Sequence, residues 1–85
     1  MPPDDIYAAV RAERQRQDRL KAEGRIRATC ADAIPSTVKL AALMEEVGEA
    51  ARAILGAEGW SRDGDDLRKE LVQVAAICVA WLETL

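Results

Sequence analysis

The chain contains no histidine and no phenylalanine, and its only aromatic residues are Tyr7, Trp60 and Trp81. Without histidine, a histidine-ligated zinc or iron site is excluded. Cysteine is equally sparse. Cys30 and Cys78 lie far apart and form no CxxC pair, and Cys78, inside an apolar run, reads as a buried small hydrophobe. Nothing in this usage points to an oxidising compartment. Positive charge is not in excess: the net charge of −3 argues against broad binding to nucleic acid or an anionic membrane, both of which favour a basic face. A DNA-binding reading is the weakest of all, because no basic recognition helix is present. No GxxxxGK[ST] loop occurs, which rules out a P-loop mode of phosphate binding. The longest apolar run, 71–82, spans twelve residues and is interrupted by Gln73, too short to cross a bilayer. Met1-Pro2-Pro3-Asp4-Asp5 has neither the basic start nor the apolar stretch of a signal peptide. A soluble, cytoplasmic protein is expected, with no nucleic-acid or membrane partner.

What the chain does have is alanine and charge. Its 85 residues suit one domain, 1–85, and the apolar fraction of 49% leans on alanine. Alanine buries little area, and a chain this short is near the lower limit for a self-sufficient core. Oligomerisation is therefore expected to complete the core.

Three helical segments and no strand are readable, with no internal repeat, so the expected fold is all-α, a small helical bundle. The first segment, 5–22, follows two prolines, has Asp4 or Asp5 to cap it, and precedes Gly24. Its apolar stripe is thin, and its charges from Arg11 to Arg19 alternate in sign, as on a salt-bridged face. A loop over 23–35 leads to Ser36, a natural N-cap, and the second helix, 37–55. There Leu40, Leu43, Met44, Val47, Ala51 and Ile54 recur at helical spacing and predict one buried stripe. The connection 58–66 is turn-rich, with Gly59, Ser61, Asp63 and Gly64, and Asp65 or Asp66 can cap the third helix, 67–83. From Leu71 onward that helix is apolar on every side, which requires a central position or a partner subunit.

Two acidic signatures stand out against this background. One is Glu45-Glu46-Val47-Gly48-Glu49; the other is Glu70-Leu71-Val72-Gln73. Glu46 and Glu49 are three residues apart, as are Glu70 and Gln73, so each pair projects from one helix face. Two such helices side by side gather carboxylates and an amide oxygen around one point. An oxygen-only donor set suits a hard divalent cation, Mg²⁺ or Mn²⁺. The plainer alternative is a solvated acidic face, with Arg52 at i+3 from Glu49 and Glu70 favoured by the helix dipole. Gln73 is what tilts the balance, because a polar side chain opening an apolar helix needs a partner.

Glu45-Glu46-Val47-Gly48-Glu49-Ala50-Ala51, followed after a spacer by Lys69-Glu70-Leu71-Val72-Gln73-Val74, resembles the MazG-like nucleoside triphosphate pyrophosphohydrolases. Those all-α enzymes carry EExxE on one helix and ExxD on a later one. Twenty residues separate Glu49 from Glu70, as that family's spacing would have it. Glu13-Arg14-Gln15-Arg16-Gln17-Asp18 is similar to the opening helix of phage and actinobacterial members, so the resemblance covers nearly the whole chain. The family's final aspartate is here the neutral Gln73, which removes one negative charge and should weaken the hold on a 2+ ion.

The resemblance implies metal-dependent cleavage of a nucleoside triphosphate between the α and β phosphates, giving a monophosphate and pyrophosphate, in a homo-oligomer, either dimer or tetramer. A nucleotide-pool house-cleaning role follows from it. Carried over by position, Glu46, Glu49 and Glu70 are metal ligands, Gln73 a weaker one, and Glu45 the residue that helps bind a second metal or orients the attacking water. Lys21, Arg25, Arg27, Lys39 and Lys69 are candidate phosphate contacts, each with the rival reading of a solvated surface charge. Trp60 is a candidate for stacking on the base, while Trp81 reads as core. Three other readings stand beside this one: a phosphoribosyl-ATP pyrophosphohydrolase-like enzyme, a catalytically weak or inactive nucleotide-binding protein, and a purely structural helical oligomer.

Overall fold

A computed structural model describes residues 1–60 and 66–85. All regular structure among them is helical: α1 (Pro3–Ala22), α2 (Ser36–Ala57) and α3 (Leu67–Leu82). The turn residues Ser61, Asp63 and Gly64 and the candidate cap Asp65 lie outside the described residues.

Each helix starts where its local chemistry allows. In α1, Pro3 occupies the first turn, where a missing N–H costs nothing, and the extended Pro2 precedes it without any side-chain cap. Asp4 and Asp5 are therefore first-turn acids that complement the helix dipole rather than caps, with Arg19 and Lys21 doing the same at the other end. Gly24 then takes a left-handed φ of 72°, and Arg25 N donates to Leu20 O at 2.9 Å, turning the chain away. Ser36 is not the N-cap of α2. Pro35, in an extended conformation, sits at that position, and its carbonyl accepts from Val38 N and Lys39 N at 3.0 and 3.2 Å, so the helix begins one residue early. Asp66 caps α3, its Oδ1 accepting from Arg68 N at 3.0 Å.

Helix α3 packs against both α1 and α2, whereas α1 and α2 do not pack on each other. Lys39, early in α2, donates through Nζ to Thr84 Oγ1 at 3.1 Å just beyond α3, so α2 and α3 run antiparallel. The residues buried on these two helices are mostly small: Ala50 and Ala53 on α2, Ala76 and Ala80 on α3. Alanine lets the two helix backbones approach closely, and that choice decides which face of α2 turns inward.

The stripe predicted as buried faces the other way. Leu40 is 50% exposed and Met44 57%, and Val47, Ala51 and Ile54 are exposed as well. Only Leu43 of that set is half-buried. Cys78 is likewise exposed rather than buried, as are Leu71, Val79 and Leu82, while Trp81 is half-buried. A single chain with two helices on one central helix cannot cover all sides of α3. Among the described residues no large side chain is fully enclosed.

Two polar staples complete the bundle. Arg14 is 7% exposed and donates to Glu83 Oε2 at 2.7 Å, Gln17 Oε1 at 3.0 Å and Asp18 Oδ1 at 3.1 Å. These bonds, led by Glu83, hold its pKa above the ordinary arginine value and tie α1 to the end of α3. Lys39, 3% exposed, is the second staple. The alternating charges of α1 are paired in part, Arg14 with Asp18 at 3.1 Å and Arg16 bidentate on Glu13 at 2.8 Å, while Arg11 and Arg19 make no ion pair with a described residue. Among the described residues no helix is long and apolar enough to cross a membrane.

Candidate functional site: an acidic cluster between a cleft and a groove

Glu46 projects from the flank of α2 toward α3, and Glu70 and Gln73 project from one face of α3 to meet it. Glu70 is 3% exposed, and Glu46 and Gln73 are half-buried. The Gln73 amide has its nitrogen toward the carboxylates, since the opposite orientation would set its oxygen against two acceptors. In this orientation the nitrogen donates to Glu46 Oε2 at 2.8 Å and to Glu70 Oε2 at 3.1 Å. One neutral side chain thus ties carboxylates from two helices together. Desolvation holds the Glu46 pKa above the usual carboxylate value, and repulsion from Glu70, Glu49, Glu13 and Glu45 adds to it, in that order.

The structure therefore brings Glu46, Glu70 and Gln73 into contact, with Glu49 and Glu45 at the rim. Glu49 is half-exposed and pairs with Arg52 Nη1 at 3.4 Å. Glu45 is exposed and borders the same shallow depression as Glu46, Glu49 and Arg52. Among the described residues no group of three or more histidine, cysteine, aspartate or glutamate side chains is arranged to hold a metal ion; the arrangement present is the amide-tied one.

Because α1 and α2 do not touch, a cleft opens between them, about 490 Å³ in volume. Its walls are mainly apolar, from Leu20 on α1, Val38 on α2, Ile77 on α3 and Ile26 and Ile34 on the loop, and Glu46, Gln73, Glu13 and Arg16 also line it. The 23–35 loop forms part of its wall and is held by local bonds. Asp32 Oδ2 accepts from Thr29 N at 2.7 Å, Thr29 Oγ1 accepts from Ala31 N at 3.2 Å, and Lys21 pairs with Asp32. The Lys21 hydrogen bond, then that from Thr29 N, lowers the Asp32 pKa. Cys30 also lines the cleft, and burial pushes its thiol pKa up.

A second, shallower groove runs between α1 and α3, lined by Arg16, Arg19, Arg68, Lys69, Glu13 and Gln73 among others. Gln73, Glu13 and Arg16 border both spaces. Arg19, Arg68 and Lys69 are exposed and make no ion pair with any described residue.

Of the five cations singled out from sequence, only Lys69 lies beside the cluster. Lys21 is engaged by Asp32, and Arg25 is exposed and 3.8 Å from Glu23. Lys39 is enclosed at the opposite end of α3. Arg27 borders the apolar cleft. Trp60 follows α2 and is 79% exposed. Sequence reasoning missed Glu13, Arg16, Arg19 and Arg68. For Glu13 a signal existed: it shares a helix face with Gln17 and Leu20 at four- and seven-residue spacing, and all three line the cleft. No protein-family model, curated protein or solved structure matches this chain.

Proposed function

We propose that the protein is a MazG-like, metal-dependent nucleoside triphosphate pyrophosphohydrolase, acting as a homo-oligomer. The observation that carries this reading is the position of the Glu46–Gln73–Glu70 cluster, whose Gln73 borders both an apolar cleft, shared with Glu46, and a cationic groove. A nucleotide has the same three parts. Its base suits an apolar pocket of a few hundred cubic ångströms, its polyphosphate suits arginines and lysine, and the carboxylates suit the cation that accompanies it.

The donor set fits Mg²⁺ or Mn²⁺ by its chemistry. Glu46, Glu49 and Glu70 offer only oxygen, and the burial and then the carboxylate repulsion that raise the Glu46 pKa disfavour a charge that a nearby cation would favour. A bound ion there supplies charge neutralisation of the phosphates and a more acidic water. The chain's own residues do the rest. The apolar walls at Leu20, Ile34 and Ile77 hold the base and exclude water, and this cleft replaces Trp60 as the base site. Arg19, Arg68 and Lys69 hold the β and γ phosphates. Glu45, at the exposed rim, orients the attacking water and takes its proton. The water oxygen bonds to the α phosphorus, the bridging oxygen leaves with the β phosphate, and pyrophosphate departs through the open groove.

Self-association is supported by surface. A folded monomer of this mass exposes about 5,000 Å², and this chain exposes 5994 Å². Its radius of gyration, 13.6 Å, exceeds the roughly 12 Å of a compact domain of this length. The excess surface is close to one partner's share of a standard interface, about 800 Å². The exposed stripe of Leu40, Met44, Val47 and Ile54 is the face proposed to be covered by a second copy.

A second reading has one specific observation in its favour. The Gln73 amide already satisfies Glu46 and Glu70, as in a protein that binds nucleotides without turning them over. The two readings separate in one assay: pyrophosphate release from a panel of NTPs and dNTPs, with Mg²⁺, with Mn²⁺ and with chelator. Metal-dependent release is expected. Thermal stabilisation by nucleotide without release would select the binding protein, and neither effect in a folded sample would defeat both.

A further inference from the structure

We propose that Gln73 is a reversible latch: its amide nitrogen ties Glu46 to Glu70 in the ion-free protein, and the amide turns over to present its oxygen when a cation enters. The first half rests on geometry alone. One NH₂ group has two hydrogens, and Glu46 Oε2 and Glu70 Oε2 stand 2.8 and 3.1 Å from its nitrogen, so each hydrogen has one acceptor. The two carboxylates come from different helices, α2 and α3, so the amide is also a tie between those helices. The second half rests on the metal-site reading above.

An aspartate at this position has no donor and adds a third negative charge, so it pushes Glu46 and Glu70 apart until a cation arrives. Glutamine, by contrast, is a donor on one side of its amide and an acceptor on the other. Rotation of the amide exchanges the two roles with little movement of the rest of the side chain. Gln73 therefore pre-assembles the carboxylates without an ion, and the ion must displace two hydrogen bonds to enter. In the ion-free protein Gln73 is a positioning residue, acting through Glu46 and Glu70; with the cation bound its oxygen would contact the ion directly.

The test uses ¹⁵N-labelled full chain in chelator and then in Mg²⁺, with the Gln73 side-chain NH₂ signals identified by their absence in Gln73→Met. In chelator their exchange with water is expected to be at least about tenfold slower than that of Gln15, which is exposed on α1. Exchange as fast as Gln15 would overturn the latch. On adding Mg²⁺ the protection is expected to vanish; Mg²⁺ bound by calorimetry with protection unchanged would overturn the turnover step. Gln73→Asp is expected to melt below wild type in chelator and to gain more from Mn²⁺ than wild type does. An unchanged melting temperature in chelator would again count against the latch. If neither protein binds Mg²⁺ or Mn²⁺ while Gln73 stays protected in chelator, the metal reading falls and the ion-free tie stands.

Discussion

Gln73 carries no charge, yet it holds two charged side chains from different helices. The residues around it have separable jobs, and single substitutions distinguish them. Glu49 sits at the rim, paired among the described residues with Arg52 at 3.4 Å, so its removal should leave the fold intact. Glu49→Gln is expected to lower metal-dependent pyrophosphate release by at least on the order of a hundredfold, with unchanged helical circular dichroism. Wild-type turnover in that variant would show that Glu49 is no ligand. Asp32 works elsewhere, holding the loop that lines the cleft. Its folded pKa lies below the ordinary 3.8 because Lys21 and then Thr29 N bond the charged form. A lowered acid pKa contributes stability above the unfolded value, and that contribution is lost as pH falls through the folded one. Asp32→Asn is thus expected to melt below wild type at neutral pH, with the gap closing once the pH drops under 3.8. Thermal melts across that range check it, and a gap that persists in acid would rule out the carboxylate as its source.

At the scale of elements, the seam between α2 and α3 decides the geometry of the cluster. Ala53 on α2 and Ala76 and Ala80 on α3 are wholly enclosed, and Glu46 of α2 meets Gln73 of α3. Ala76→Leu forces a larger side chain into an enclosed position on α3 and is expected to cost about 1–3 kcal/mol, read by urea denaturation. Stability equal to wild type would mean that position has spare room. Helix positions were legible in sequence to within two residues at each end, because prolines and glycines bracket α1 and Asp66 caps α3. The inward face of α2 was not legible. Periodicity marks an apolar stripe but does not say whether it meets the chain's own α3 or something outside it. Here the alanines won the α3 contact and left Leu40 and Met44 exposed.

For the whole molecule the exposed α2 stripe is the main unbalanced feature. Met44 is 57% exposed at its centre, and a charge there opposes burial against a second copy. Met44→Glu is expected to convert an oligomer into a 9.3 kDa monomer, measured by light scattering after size exclusion, with lower thermal stability. A wild-type protein that is already monomeric at all concentrations would defeat the oligomer proposal. An oligomer unaffected by the substitution would place the interface elsewhere.

The sequence by itself determined the three helices, their approximate ends, the lack of a histidine metal site and the pairing of Glu46 with Glu49 and Glu70 with Gln73. All of these depend on local spacing and residue chemistry, which act within a turn or two of one helix. Only the tertiary structure decided that Gln73 donates rather than accepts, because that depends on Glu46 arriving from another helix. It also decided which cations lie near the cluster. Lys39 is near Glu46 in sequence but enclosed with Thr84 at the other end of α3, whereas Arg16 and Arg19, distant in sequence, line the groove beside Gln73. Long side chains are placed by what their helix packs against, and that information is not local.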